Sequence, residues 1–213
     1  DFYANHLKKL GVFNNLRQQH SKRIKALRDS SATADAKRFQ ELLVLFKKYG
    51  PQYGFDPLML AAQGYQESQL DQQAKSHVGA IGVMQIMPAT GAELKVGDIR
   101  VTEANIHGGA KYMDQLMTRY FKDADFDAAN RALFAFASYN AGPGNVSKMR
   151  KEAEKRGLNP DKWFNNVEMV TAEKIGIETT TYVRNIFKYY TSYKLTVEAQ
   201  HEQAKARGEV GKK

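Results

Sequence analysis

The sequence predicts a mainly α-helical fold, and three observations carry that expectation. Apolar residues recur at helical spacing through the middle of the chain, few segments alternate apolar and polar residues for long enough to make a strand, and helix-start signals precede the periodic runs. With 213 residues, 42% of them hydrophobic, the chain is long enough for one full domain of about 150 residues plus appendages.

The elements follow in order. Residues 14–36, NNLRQQHSKRIKALRDSSATADA, are strongly basic and end in a Ser/Thr/Ala/Asp cluster, which predicts a peripheral helix and then a connection. From Ala36 the spacing of Phe39, Leu42, Leu43, Phe46 and Tyr49 gives one apolar face, a core helix that Gly50 and Pro51 should stop. Asp56-Pro57 starts the next helix, because Asp caps free amides and Pro at the first position gives up an N–H that has no partner there. That helix should run to about Leu70 and carry Glu67 in its last turn.

Residues 76–91, SHVGAIGVMQIMPATG, hold glycines and a proline without a sustained period, which predicts an ordered loop where something approaches the backbone. Further helices are expected at about 103–121, 127–139, 143–156 and 178–193. From Thr196 the tail VEAQHEQAKARGEVGKK carries charge without an apolar face and is expected to be disordered. The domain boundaries are therefore drawn as a basic connection at 1–36, a folded domain at 37–195 and a charged tail at 196–213. The start DFYANHLKKLGVF has neither an initiator Met nor a secretory pattern, so the chain reads as a piece of something longer.

Composition narrows the function. A formal charge of +9 favours an anionic partner, and the absence of cysteine excludes disulfides and thiolate metal sites. His6, His20, His77, His107 and His201 show no close ligand spacing, so no metal is expected; no P-loop, dinucleotide fingerprint or GxSxG elbow appears, so no cofactor is expected either. The basic residues are dispersed and YVRNIFKYYTSYK reads first as an amphipathic helix, so nucleic acid is not the expected partner.

Two stretches carry candidate chemistry. Glu67 near a helix C-terminus meets the negative end of the helix dipole, and burial against Tyr65, Met84 or Tyr139 would raise its pKa and keep it protonated, as a general acid requires. An exposed, solubilising Glu is the alternative. In ALFAFASYNAGPGNV, residues 132–146, Tyr139 and Asn140 are either ordinary helix-ending residues or a donor-rich lip facing the same cleft.

Taken together, QES at 66–68, SHVGAIGVMQIMPATG at 76–91, SYNAGPGNV at 138–146 and ETTTYVRNI at 178–186 resemble the signature of the soluble-lytic-transglycosylase type of peptidoglycan-cleaving enzyme. The resemblance covers about residues 40–193 in the correct order and implies a lysozyme-like catalytic domain related to goose-type lysozyme. It implies Glu67 as the sole catalytic acid/base, Ser68 as an orienting residue, and Ser76, Gln85 and Met87 along the cleft. Tyr139 and Asn140 match the pair beside the catalytic Glu, Tyr182 matches a Tyr whose hydroxyl reaches toward it, and Glu178 is implied to be cleft-lining or structural. Val83 stands where Leu or Met is common, and Lys174-Ile175-Gly176-Ile177 replaces an Ile-Pro pair before the ETxxYV motif.

Glycosidases ordinarily pair an acid with a second carboxylate, and Asp71 and Glu178 are the nearest candidates in sequence. The resemblance implies a reason for doing without one: the muramic acid's own C6 hydroxyl attacks its C1, cleaving the MurNAc-β-1,4-GlcNAc bond without water and leaving a 1,6-anhydro end. Hydrolytic muramidase activity and a non-catalytic wall-binding module are the rival expectations. The substrate implied is the peptidoglycan glycan strand, the compartment the periplasm, and AAQGYQES resembles the membrane-associated subgroup that carries an upstream solute-binding-like regulatory domain.

Overall fold

The structure is a computed structural model and describes residues 34–210. The chain divides into two compact units, residues 1–41 and 42–213, and the second contains the site discussed below. The expected helix of residues 14–36 falls, up to residue 33, outside the described residues. Eight α-helices are described: α1 (Ala34–Gln52), α2 (Pro57–Ser68), α3 (Pro88–Leu94), α4 (Thr102–Tyr120), α5 (Ala128–Ala141), α6 (Pro143–Lys155), α7 (Glu168–Ile175) and α8 (Ile177–Val210). Among the described residues β structure is confined to two isolated bridges, Lys75 with Ile81 and Ile81 with Ile86. No helix of the described residues is long and apolar enough to cross a membrane.

The centre of the second unit is α5. Its residues Ala132 to Ser138 are all buried, which is what a helix that is apolar all round requires. It packs against α4, α6 and α8, and Phe134 meets the fully buried Trp163 edge-on with ring centroids 5.5 Å apart. Of the apolar stripe expected on α1, Phe39, Leu43, Phe46 and Tyr49 are buried and Leu42 is half-buried. Helix α2 starts at Pro57 as expected, with the Asp56 carboxylate accepting from the Leu58 N–H at 2.7 Å.

Several boundaries differ from expectation. Helix α1 includes Gly50 and Pro51 and stops one residue later, at Gln52, as a proline that cannot donate its backbone N–H should make it. The loop expected over 76–91 gives way at Pro88 to the short helix α3, with Pro at its first position. Helix α7 has no counterpart in the sequence reading; a kinked turn at Trp163–Val167, held by a Val167 N–H bond to the Lys162 carbonyl at 3.2 Å, leads into it. The tail expected to be disordered from Thr196 continues α8 to Val210. Between Ile177 and Arg207 there is neither Gly nor Pro, and the Glu, Ala, Gln and Lys that follow Thr196 are strong helix formers even without an apolar face.

Candidate active site

Glu67 sits in the last turn of α2, where the chain leaves the helix through Gln69 and Leu70, both at positive φ (56° and 62°). The exit is fixed by Ser68. Its one hydroxyl proton is shared between the Val83 carbonyl at 2.9 Å and the Gly64 carbonyl at 3.2 Å, and its oxygen accepts from the Asp71 N–H at 3.1 Å. One side chain thus ties the end of the glutamate's helix to the loop opposite it.

That loop, residues 69–87, is held from beneath by amides. Asn105, fully buried on α4, accepts from the Met84 N–H at 2.8 Å and donates to the carbonyls of Ile81 and Ile99 at 2.8 and 2.9 Å. Gln72 donates to the Ile99 and Arg100 carbonyls, both at 3.1 Å. Glycine is required at two contacts. A Cβ on Gly82, whose φ is +80°, would lie 2.5 Å from Asn105 Nδ2, and one on Gly109 would lie 2.6 Å from Met84 Cγ.

Helix α8 closes the site by packing along α2 and α5. Its buried Tyr182 donates its hydroxyl proton to Glu67 Oε1. From α5, the Tyr139 hydroxyl donates to the Met84 carbonyl at 2.7 Å and its ring packs edge-on to Tyr112 at 5.3 Å. Burial pushes Glu67 up to about 6, while the Tyr182 hydrogen bond pulls the other way. Burial and the nearby Glu67 charge push both Tyr139 and Tyr182 well above the ordinary phenol range, so both hold their protons at any working pH. Among the described residues neither a basic side chain nor a second carboxylate adds to these two effects on Glu67.

The remaining candidates divide into three groups. Asn140 is exposed at the end of α5 and accepts from the buried Thr179 hydroxyl at 2.8 Å, so its side chain is oriented from α8. Ser76 and Gln85 spend their hydrogen bonds inside the loop: Ser76 Oγ accepts from the Ala80 N–H at 3.0 Å, and Gln85 donates to the Gly82 carbonyl at 2.9 Å from a backbone at φ +48°. Met87 and Glu178 are exposed at the N-terminal ends of α3 and α8. Asp71, the nearer candidate for a second carboxylate, accepts from the Gln73 N–H at 2.9 Å in a local turn.

The sequence reading missed Gln63, Gln72, Asn105 and Thr179. A signal existed for Asn105, an amide at a position that the apolar period of Ile106, Gly109, Met113 and Leu116 assigns to the buried face of α4. For Gln72 and Thr179 no local signal distinguishes them from solvated polar residues.

The chain matches the family described as "Transglycosylase SLT domain" over residues 44–162, more than half its length. It is 33% identical over 183 residues to a protein named membrane-bound lytic murein transglycosylase F from Desulfosudis oleivorans, covering 76% of this chain and 40% of that protein. A protein of the same name from Pseudomonas fluorescens is 32% identical over 166 residues, covering 76% and 34%. Among solved structures, an inactive glutamate-to-glutamine mutant of the lytic transglycosylase Slt from Pseudomonas aeruginosa aligns with a TM-score of 0.56 at 27% identity, over 73% of this chain and 24% of that one. The 70 kDa soluble lytic transglycosylase from Escherichia coli gives 0.56 at 28% identity, over 72% and 24%. The chain therefore spans two fifths or less of each of these proteins. The matched interval contains Glu67, Ser68, the loop and the Tyr139-Asn140 pair, while Tyr182 lies beyond it and reaches the site through α8. With its motifs, its helical architecture and more than half of its residues matched, the chain belongs to the transglycosylase SLT domain family.

Proposed function

We propose that residues 37–195 form a peptidoglycan lytic transglycosylase domain that cleaves the MurNAc-β-1,4-GlcNAc bond of glycan strands without water. The observation that carries the reading is the Glu67 carboxyl, pushed up to about 6 by burial and held by a phenol, with no second carboxylate among the described residues acting on it. A hydrolase of the usual kind needs a partner carboxylate to activate water or attack the sugar.

The steps follow from one group acting twice. Protonated Glu67 gives its proton to the glycosidic oxygen as the C1–O bond breaks. The resulting carboxylate accepts the Tyr182 hydrogen bond and then takes the proton of the C6 hydroxyl, whose oxygen closes on C1 to form the 1,6-anhydro ring. A nucleophile already carried by the reacting sugar has the effective-molarity advantage of a tethered reactant, so no protein group is needed to deliver it. The substrate's N-acetyl group supports the cationic stage, as in substrate-assisted glycosidases. Tyr139 and Asn140 orient the sugar and the acid, Ser68 orients the end of α2, and Ser76, Gln85, Met87 and Glu178 line or shape the cleft.

The relatives named membrane-bound support a periplasmic, membrane-associated setting for the protein of which this domain is part. An upstream regulatory domain is part of the same proposal, with residues 1–36 as the connection to it. The net charge of +9 agrees in sign with an anionic wall polymer.

Mass spectrometry of peptidoglycan digested with the chain and with Glu67→Gln tests the reading. Anhydro-muropeptides are expected from the parent and a loss of at least about 100-fold from the variant. Products with reducing ends would instead make the domain a muramidase, and turnover retained by Glu67→Gln would remove Glu67 from the mechanism.

A further inference from the structure

Gln63 lies one helical turn before Glu67 on α2, on the same face, and is completely buried. A buried amide is unfavourable unless its polar ends are paired, and this one is half paired. Its Nε2 donates to the Tyr182 hydroxyl at 3.5 Å, while Oε1 is enclosed and without a partner. Packing gives no reason for an amide here, since Met or Leu would fill the position without an orphaned carbonyl.

Tyr182 supplies the reason. A phenol has one proton, and Tyr182 commits it to Glu67 Oε1, so only its oxygen lone pairs remain to meet Gln63. The amide must therefore turn its N–H toward Tyr182 and leave its carbonyl unpaired. We propose that Gln63 is a positioning residue of the acid–base site: by donating to the Tyr182 oxygen it holds the phenol proton on Glu67 and supports the carboxylate that forms when Glu67 has given up its proton.

The chemistry of a neutral donor fits the task. A hydroxyl that accepts a hydrogen bond becomes a better donor, so the chain Gln63, Tyr182, Glu67 is cooperative in one direction. The titratable groups facing Glu67 are Tyr182 from α8 and Tyr139 from α5, both neutral. A Lys or Arg in place of Gln63 would lock Glu67 in its ionised form and remove the acid, whereas an amide orients the phenol without adding charge. Being fully buried, Gln63 acts only through Tyr182.

This inference rests on the acid–base reading of Glu67, and the test separates the two. The parent, Gln63→Met, Tyr182→Phe and the double variant are compared by release of anhydro-muropeptides across pH, together with thermal melting. Gln63→Met keeps the length of the side chain and removes both amide ends. The expected result is a kcat lower by about three- to tenfold, the worth of one hydrogen bond, with KM unchanged. The alkaline fall of the pH profile should shift upward, and Tm should stay level or rise as the orphaned carbonyl disappears. In the Tyr182→Phe background the Met substitution should leave kcat unchanged.

An unaltered kcat in Gln63→Met beside an inactive Glu67→Gln overturns this inference alone. So does a loss that is equally large with and without the Tyr182 hydroxyl, or a loss accompanied by a lower Tm and a raised KM in both Gln63→Met and Gln63→Leu. Turnover by Glu67→Gln overturns the acid–base reading and this inference with it.

Discussion

Two glutamates are drawn out of water along helix α8, and their surroundings give them opposite characters. Glu168, 6% exposed at the start of α7, accepts from Arg184 Nε at 2.6 Å and lies at the helix end where partial positive charge favours a carboxylate. Glu67 lies in the last turn of α2, where the dipole opposes its charge, and is met by a phenol in place of a cation. Tyr182 and Arg184 are two residues apart on α8, a rotation that sets them on nearly opposite faces of the helix, so one element serves both glutamates. Burial alone does not make an acid. At the start of α7 the buried Glu168 meets a cation, whereas burial with a neutral donor at a helix C-terminus gives Glu67 a carboxyl that holds its proton to about pH 6.

The largest free-energy effect is expected on the structural side. Glu168→Ala removes the acceptor of Arg184 and should destabilise the fold by about 1.5–3 kcal/mol, the range for hydrogen bonds to charged groups, toward its lower end because the exposed Arg184 side chain can return to water. Chemical denaturation measures that loss, and cleavage per folded molecule should stay within about twofold of the parent, as for a site off the reaction path. A loss of cleavage without a loss of stability would break the division between the two glutamates.

Glu67→Gln should do the reverse. Because the folded-state pKa is raised, from 4.5 to about 6, the folded chain binds more protons than the unfolded chain between those values, and stability falls as pH rises through that window. A neutral side chain escapes this, so the variant should be more stable than the parent by about 2 kcal/mol at pH 8, with the difference vanishing near pH 4. Urea unfolding at the two pH values checks the sign. A variant less stable than the parent at pH 8 would mean that Glu67 is favoured as an anion.

The same contrast marks what the sequence made legible. The helical architecture and the stretch bearing Glu67 could be read because apolar period, Asp56-Pro57 and the glycine-rich loop are local signals. Tyr182 entered the reading only through resemblance, since 115 residues separate it from Glu67 and no local pattern pairs them. The Arg184–Glu168 pair and Gln63 escaped it, because what distinguishes them is the company that tertiary packing gives an ordinary polar residue, whereas Asn105 was marked by the apolar period of its helix. Helix α7 was hidden for a related reason: a kinked turn at Trp163–Val167 interrupts the period just before it. The extension of α8 past Thr196 shows the converse, where helix propensity without an apolar face outweighs the absence of a packing partner.

The smallest effect tests the phenol itself. Tyr182 donates to Glu67 and so favours its charged form; with Tyr182→Phe that support is gone and the pKa of Glu67 should rise further. One hydrogen bond of this kind is worth about 1 kcal/mol, which corresponds to a shift of roughly half a unit to one unit. The rate of anhydro-muropeptide release depends on protonated Glu67, so in the parent it should fall as pH rises through about 6, and in Tyr182→Phe the fall should come at higher pH. The maximal rate should drop at the same time, since the carboxylate left after proton donation has lost its donor. A pH–rate profile of kcat/KM for both proteins from pH 4.5 to 8 separates these effects. If the fall stays in place or moves to lower pH in Tyr182→Phe, the phenol does not act on the charged form of Glu67, and the neutral environment that sets Glu67 apart from Glu168 must be attributed to burial alone.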